Sequence, residues 1–446
     1  MGKNAPRKGG LSAPGEGERD MEVIRWMEWI QNAIALLAGA LYFYQVVYLV
    51  VGLLSRRKPP QRPVRLRRYA ALISARNEEE VIGELIDSLK GQTYPEELLD
   101  IYVVADNCTD KTAEAARRAG AAVYPRFNRL EVGKGYALNY LLKKLMEDGL
   151  FDRYAGFFVF DADNIVDPDF VREMNRTFDK GGFAAITGYR NSKNFGSNWI
   201  TAGYSLWFLR EARLVNAARM ALGLSCHVSG TGFLVSADVI REKGGWPYHL
   251  LTEDLEFSAQ CAVEGKRIGY CGDAVIYDEQ PTSFRQSWDQ RLRWSRGFFQ
   301  VGGKYAPALC RGMLGGGQRG FVCYDILLTV TPGVLLTAAG CVLQGALALS
   351  CLSAPAYIIQ EVLSLTGHWL LGGFGGFYAG MLFYGALTIL SEWGRIKATP
   401  MQKIGYLLTF PLFMLTYIPV TICAIFQKVE WKPIVHKSLA RIDTAA

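Results

Sequence analysis

The chain has 446 residues, 50% of them hydrophobic, with 49 basic against 42 acidic side chains and a mean hydropathy of +0.08. That balance fits neither a soluble enzyme nor a transporter made wholly of membrane helices. The charges gather in the middle of the chain, as expected of a soluble body of about 250 residues flanked by membrane helices.

Residues 1–20 are rich in Gly, Pro, Lys and Glu, have almost nothing to bury, and are expected to be disordered within an N-terminal tail of 1–29. A first span is expected at 33–54, in a membrane segment of 30–54, with Gln45 its only strongly polar residue. It is too long and too far from the start for a cleaved signal peptide. Arg56, Arg57, Lys58, Arg62, Arg65, Arg67 and Arg68 follow, with no acid until Glu78. So dense a basic flank holds its side of the membrane in the cytoplasm. Beside a span, and without interleaved aromatics, it suits phospholipid headgroups better than nucleic acid.

From residue 69 the period changes. Residues 69–74, 99–105 and 157–160 read as buried strands, and 78–89, 109–120 and 135–146 as helices between them. Thr109 or Asp110 would cap the second helix. The alternation predicts a mostly parallel sheet covered on both faces, within a body of 55–320. Ligands in such sheets sit beyond the C-terminal strand ends, so the loops at 75–78, 106–110 and 161–164 should converge. No G-x-G-x-x-G follows the first strand and no G-x-x-x-x-G-K-[ST] occurs, which disfavours a dinucleotide oxidoreductase and a P-loop ATPase.

The strand ends carry acids instead. Asp106 ends one strand, and Asp161 and Asp163 flank Ala162 after F-F-V-F. Two carboxylates so spaced can face one divalent cation, which in turn neutralises a diphosphate. Lys134 in G-K-G is a phosphate contact or a solvated turn lysine. Gly230, Thr231 and Gly232, in S-G-T-G-F, allow the backbone to approach a ligand closely. Thr252, Glu253 and Asp254 open a helix expected at 255–264. Asp254 suits a general base for an attacking hydroxyl, although both acids also suit a helix start on dipole grounds alone.

Residues 283–305 carry Phe284, Trp288, Leu292 and Phe299 on one side of a broken helical pattern. Arg285, Arg291, Arg293, Arg296 and Lys304 intervene. Part of this stretch reads as an amphipathic helix at the membrane interface. Gln290, Arg293 and Trp294 fit that role less well. A guanidinium forks onto phosphate oxygens, and an indole offers a flat face to a sugar ring.

Between Asp325 and Glu361, and again between Glu361 and Glu392, no side chain is charged. Spans are expected at 326–350, 369–390 and 406–426 within 321–427, each near the roughly 20 residues that cross hydrocarbon. The connection at 352–367 reads as a short interfacial segment. Residues 428–446 form a C-terminal tail whose side of the membrane is left open. The nine cysteines include no C-x-x-C, and a reducing cytosol argues against disulfides. Cys226 and Cys261 read as small buried residues, and no His is spaced with Cys or acid as zinc ligands are.

Four of these motifs together resemble the membrane-embedded family-two glycosyltransferases, of the cellulose, hyaluronan, chitin and poly-N-acetylglucosamine synthase type. V-V-A-D-N (103–107) is similar to their uridine-contacting acidic loop, and F-D-A-D-N (160–164) to their metal-binding D-x-D. T-E-D (252–254) resembles the motif whose Asp is the base. Q-R-L-R-W (290–294) resembles Q-x-x-R-W, whose Arg meets the donor diphosphate and whose Trp sits under the acceptor. The span count is smaller than that of cellulose synthases, so the resemblance is to the family and not to those enzymes in particular.

The resemblance implies a GT-A type nucleotide-diphosphosugar-binding α/β domain inserted between transmembrane helices, with interfacial amphipathic helices. Mg²⁺ or Mn²⁺ would sit at Asp163 and Asp161. Asp254, with Glu253 beside it, would be catalytic. Asp106, Lys134, Asp161, Gln290 and Arg293 would bind a UDP-sugar, and Gly230, Thr231, Gly232 and Trp294 the acceptor. The implied activity is inverting transfer to a glycan, repeated and coupled to export with or without an accessory protein. Single transfer to a membrane lipid is the alternative, and a non-catalytic transport or binding protein is a further one. The implied location is a multi-pass cell-membrane protein with its catalytic domain in the cytoplasm.

Overall fold

The computed structural model describes residues 16–55, 64–331, 333–352 and 354–429. They fall into two compact units, one of the described residues of 45–331 with 380–429, the other of 16–44 with those of 333–379.

The larger unit is built on an eight-stranded sheet. Its strands are β1 (Tyr69–Ala75), β2 (Leu99–Asp106), β3 (Ala122–Arg126), β4 (Gly156–Asp161), β5 (Ile165–Val166), β6 (Ala185–Ser192), β7 (Phe233–Ser236) and β8 (Ile268–Asp278). Their order is β3-β2-β1-β4-β7-β6-β8-β5. On β1, Ala70 and Leu72 enter one core while Tyr69, Ala71 and Ile73 enter the other, the period of two that a doubly covered strand requires. Each large apolar side chain so buried contributes about 1.5–3 kcal/mol over its exposed state.

The expectation of a mostly parallel sheet holds for six of the eight strands. β3, β2, β1 and β4 are parallel neighbours, and β6 and β8 also pair in parallel. Only β7, antiparallel to both β4 and β6, and β5, antiparallel to β8, run the other way. The cause is local. The S-G-T-G loop lies at the C-terminal end of β4, where Gly232 N–H bonds to the Val159 carbonyl. Gly230 and Gly232 hold φ of +77° and +64°, the left-handed region that glycine enters without penalty. β7 therefore starts at the ligand edge and runs back against β4.

Residues 284–314 form one continuous helix, not a broken one (Phe284–Leu314). Arg291 is fully buried on it, bonded to the Phe413 carbonyl at 3.4 Å and to the Thr416 hydroxyl. Its guanidinium lies 4.7 Å from the Phe413 ring and 4.9 Å from Tyr417. That arginine fixes the helix to the last membrane-type helices and is unavailable to headgroups.

The expected span at 326–350 is interrupted. One helix ends at Val330 and the next is Gly333–Ser350. Thr331, at ψ 89°, precedes Pro332; a proline disfavours the helical region for the residue before it and cannot donate to the previous turn. Asp325, at the start of that expected span, is buried against Arg219 at 2.8 Å and Tyr48 at 2.8 Å. The expected interfacial link at 352–367 is also revised, since most of it belongs to one 37-residue helix, Ala356–Glu392.

Among the described residues, three helices are long and apolar enough to cross a membrane: Glu22–Leu54, Ala356–Glu392 and Pro400–Phe426, of 33, 37 and 27 residues. In the smaller unit, Ile24 and Met27 pack with Cys351, Ile358 and Val362. The helix Glu16–Tyr42 begins inside the expected disordered tail, of which residues 1–15 lie outside the described residues. Of the basic run, Arg56, Arg57, Lys58 and Arg62 also lie outside them. Arg67 and Arg68 pair with Asp179 at 3.1 Å and Asp100 at 2.8 Å, so part of the run is bound up in the larger unit. Cys226 and Cys261 are buried free thiols.

Candidate active site

β1 lies between β2 and β4 in parallel register, Ser74 beside Asp161 and Ala75 beside Ala105. Asp106 and Asp161 therefore leave the sheet at one edge. The loops there meet: Asn77 accepts from the Thr109 N–H at 2.8 Å, and the Thr112 hydroxyl accepts from the Glu78 N–H at 2.8 Å. Asn77 and Asn107 hold φ of +58° and +52°, a conformation asparagine tolerates better than most residues. The Asp106 carboxylate is buried and takes Arg126 Nη1 at 2.6 Å. Burial pushes its carboxyl up, and the arginine offsets part of that.

The D-A-D loop splits in two directions. Asp161 is half-exposed and holds Lys134 Nζ at 2.5 Å; the same ammonium bonds the Gly230 carbonyl at 2.6 Å. Lys134 thus ties the loop to S-G-T-G. Burial works against its charge, yet Asp161 and Glu253 outweigh burial and hold its pKa above the ordinary value. Asp163 is buried and turned inward, in side-chain hydrogen-bonding contact with Asp278. Thr231 supports the loop from the other side: its hydroxyl accepts from the Asp161 N–H at 2.9 Å and bonds the Asn164 side chain.

Glu253 and Asp254 open the helix Glu253–Glu264. A Cβ on Gly230 would stand 3.8 Å from Asp254 Oδ2, so the base candidate faces the S-G-T-G backbone. Burial and then the charge of Asp254 raise Glu253 to about 8. Burial also raises Asp254, against the Leu255 N–H and Lys134. Behind them, Gly297 of the 284–314 helix packs on Thr252; a Cβ there would come within 2.5 Å of Thr252 Cγ2.

Arg293, one turn before Gly297, is lowered first by burial, with Glu253, Asp161 and Asp254 among the charges it feels. Trp294 lies edge-on to Tyr204 at 5.7 Å and Phe208 at 6.1 Å. Among the described residues, the buried Gln290 Oε1 accepts no hydrogen bond. Lys134, Asp161, Gly230, Thr231, Glu253, Asp254 and Arg293 are therefore brought together. Asp106 stands apart with Arg126, and Asp163 points into the protein.

Several residues escaped the sequence reading: Arg126, Asn164, Arg190, Asp278, Glu211 and His227. Arg190 is the single charge in β6, and Asp278 ends β8 as Asp161 ends β4, a signal already present in the sequence. Glu211 and His227 pair at 3.0 Å; His227 lies two residues before S-G-T-G-F, but Glu211 is remote in sequence from every motif. Their pairing had no signal of its own.

Among the described residues, no three His, Cys, Asp or Glu side chains form a metal site by themselves. Asp161 and Asp163 are hard oxygen donors of the kind that bind Mg²⁺ or Mn²⁺ with substrate phosphates and water completing the shell. As oxygen donors they fit that group, although Asp163 here faces Asp278 while Asp161 holds Lys134.

A sheet of this order with acids at its ligand edge, flanked in the chain by long apolar helices, defines a GT-A-like nucleotide-sugar-binding enzyme. The model of the family described as "Glycosyltransferase like family 2" matches residues 67–297, more than half of the chain, and the chain belongs to that family of glycosyltransferases. It is 27% identical over 235 residues to the beta-monoglucosyldiacylglycerol synthase of Synechocystis sp., covering 51% of this chain and 47% of that one. It is 25% identical over 233 residues to the poly-beta-1,6-N-acetyl-D-glucosamine synthase of Staphylococcus epidermidis, covering 52% and 54%. The matches thus span about half the length of these relatives. The fold matches a mannosyltransferase from Pyrobaculum calidifontis, solved in complex with GDP-Man and Mn²⁺, with a TM-score of 0.52 at 16% identity over 89% of this chain and 99% of that one.

Proposed function

We propose that the protein transfers a sugar from a UDP-sugar to an acceptor hydroxyl in a single inverting displacement. The observation that carries this reading is the position of Asp254, its Oδ2 beside Gly230 and within the field of Lys134. Arg293 would grip the donor diphosphate and Gln290 lie beside it, while Asp106 would meet the uridine. Asp254 would take the acceptor proton, with Glu253 protonated next to it at neutral pH. Trp294 would present its indole to the acceptor, and the S-G-T-G backbone would line that subsite. Mg²⁺ or Mn²⁺, held by Asp163 and Asp161, would supply charge neutralisation for the departing diphosphate. The mannosyltransferase of like fold was solved with Mn²⁺, which supports the metal.

The acceptor admits two readings. The Staphylococcus relative makes a polysaccharide, which supports repeated transfer and export through the apolar helices. The Synechocystis relative makes a glucosyldiacylglycerol, which supports a single transfer to a lipid. In either reading the catalytic domain, proposed as 55–320, faces the cytoplasm, and the basic run at 56–68 supports that side.

The test is incubation of the detergent-solubilised chain with a panel of radiolabelled UDP-sugars and Mg²⁺ or Mn²⁺, followed by sizing of the product. A glycosidase-sensitive polymer supports the first reading and one sugar per lipid the second. Asp254→Asn should cost about 10²-fold or more in turnover with UDP affinity little changed. Trp294→Ala should impair acceptor use more than donor binding. Proportional loss of UDP affinity in Asp254→Asn would move Asp254 to the donor site and leave Glu253 as the nearest base.

A further inference from the structure

A second cation stands behind the candidate site. Arg190 lies on β6, its side chain 13% exposed, and Asp278 closes β8 at 5%. Arg190 Nε donates to Asp278 Oδ2 at 2.8 Å, Nη2 donates to the same oxygen, and Nη1 donates to the Ser229 carbonyl at 2.9 Å. The guanidinium also lies flat on Phe208, 3.8 Å from the ring centre, and Phe208 is the ring against which Trp294 packs. Asp278 accepts from Asn164 Nδ2 at 3.1 Å and Gln280 Nε2 at 2.9 Å, and it contacts Asp163.

Two cations therefore bracket one turn. Lys134 bonds the Gly230 carbonyl and Asp161; Arg190 bonds the neighbouring Ser229 carbonyl and, through Asp278, reaches Asp163. A Cβ on Gly230 would stand 3.9 Å from Arg190 Nη1 and 3.8 Å from Asp254 Oδ2, so the same cation adjoins the base. The turn is held from below as well. Ser229 Oγ donates to Glu211 at 3.1 Å, and Glu211 pairs with His227 at 3.0 Å.

Buried ion pairs are weak sources of stability, since apolar residues of like volume often serve as well. They do fix geometry, because a guanidinium fork accepts its partners in few directions. We propose that Arg190 and Asp278 are positioning residues of the transfer site, a clamp that sets Asp163 for the cation and the S-G-T-G turn for the acceptor. This rests on the reading of Asp163 and Asp254 given above.

The expected signatures differ between the partners. Asp278→Asn keeps the shape but not the charge that holds the Arg190 fork and the side chain of Asn164, next to Asp163. Mn²⁺ affinity in the presence of UDP, read by electron paramagnetic resonance on the solubilised full chain, should weaken about tenfold. Saturating Mn²⁺ should restore most of the turnover. Arg190→Gln should lose about 10²-fold in turnover through misplacement of the turn, with UDP affinity by calorimetry within about threefold of wild type. Arg190→Lys keeps the charge without the fork and should recover only part of that loss.

Thermal melting identifies any variant that fails to fold, and Arg190→Lys then carries the decision. Wild-type Mn²⁺ affinity in Asp278→Asn, or full turnover in Arg190→Lys, would make the pair a packing element and overturn the proposal. Asp163→Asn and Asp254→Asn serve as references: full turnover in those two would instead sink the underlying reading of the site.

Discussion

Gly297 offers a direct test of how the Q-R-L-R-W helix is held against T-E-D. In Gly297→Ala the new methyl would meet Thr252 Cγ2 at 2.5 Å, Oγ1 at 2.6 Å and Cβ at 3.0 Å. Carbon contacts are comfortable at about 3.5–4.0 Å, so the helix must withdraw by about 1 Å or Thr252 must yield. Overpacking of this kind costs about 1–3 kcal/mol, and replacing a mid-helix glycine returns about 1 kcal/mol. The net loss of stability should therefore be about 0–2 kcal/mol. Catalysis should suffer far more, because Arg293 lies one turn away and a displacement of about 1 Å costs about 10²-fold in rate.

The assay is initial transfer rate from a radiolabelled UDP-sugar beside thermal melting and UDP calorimetry. Thr252→Ala removes the two closest atoms and leaves only the 3.0 Å contact, so Gly297→Ala with Thr252→Ala should recover much of the rate. The coupling in that double-mutant cycle should exceed that of Gly297→Ala with a distant change. Wild-type turnover in Gly297→Ala alone, or no recovery in the double variant, would refute this account of the contact.

Asp163→Asn should abolish transfer and weaken UDP binding in Mn²⁺ while the melting curve stays close to wild type; near-normal turnover in excess metal would remove Asp163 from the metal site. Glu253, raised to about 8 by burial and Asp254, keeps a proton that the unfolded chain releases near pH 4.5. The folded state is thus penalised progressively as pH climbs from there to about 8. The melting temperature of the wild type should fall relative to Glu253→Gln between about pH 5 and 8 and level off above that, and parallel profiles would refute that burial. For orientation, Asp179 is a poor probe, because it is paired with Arg67 and its side chain is only 22% exposed. A better probe is Asp238→Cys, whose native side chain is 89% exposed even while paired with Arg241, with the exposed Cys310 and Cys341 replaced by serine. It should resist an impermeant thiol reagent in intact cells and react after lysis, and labelling of sealed cells would reverse the topology.

The sequence by itself determined the elements and the chemistry-bearing motifs of this protein. Apolar runs made β1, β2 and β4 legible, the last two ending in acid, because strands buried on both faces read as short continuous apolar runs such as Tyr69–Ala75 and Gly156–Asp161. The same runs were silent on strand direction, which two glycines at positive φ decided by turning β7 back at the ligand edge. The proline after Thr331 was visible, but the uncharged run from 326 to 350 continues straight across it and hides the break. Tertiary structure alone decided the partners of the charges. Lys134 turned to Asp161 and Gly230, Asp163 turned inward to Asp278, and Arg190 gathered residues from three segments. Periodicity reports which face of an element is buried, whereas a charge buried among remote segments takes its partners from distances that only the folded chain defines.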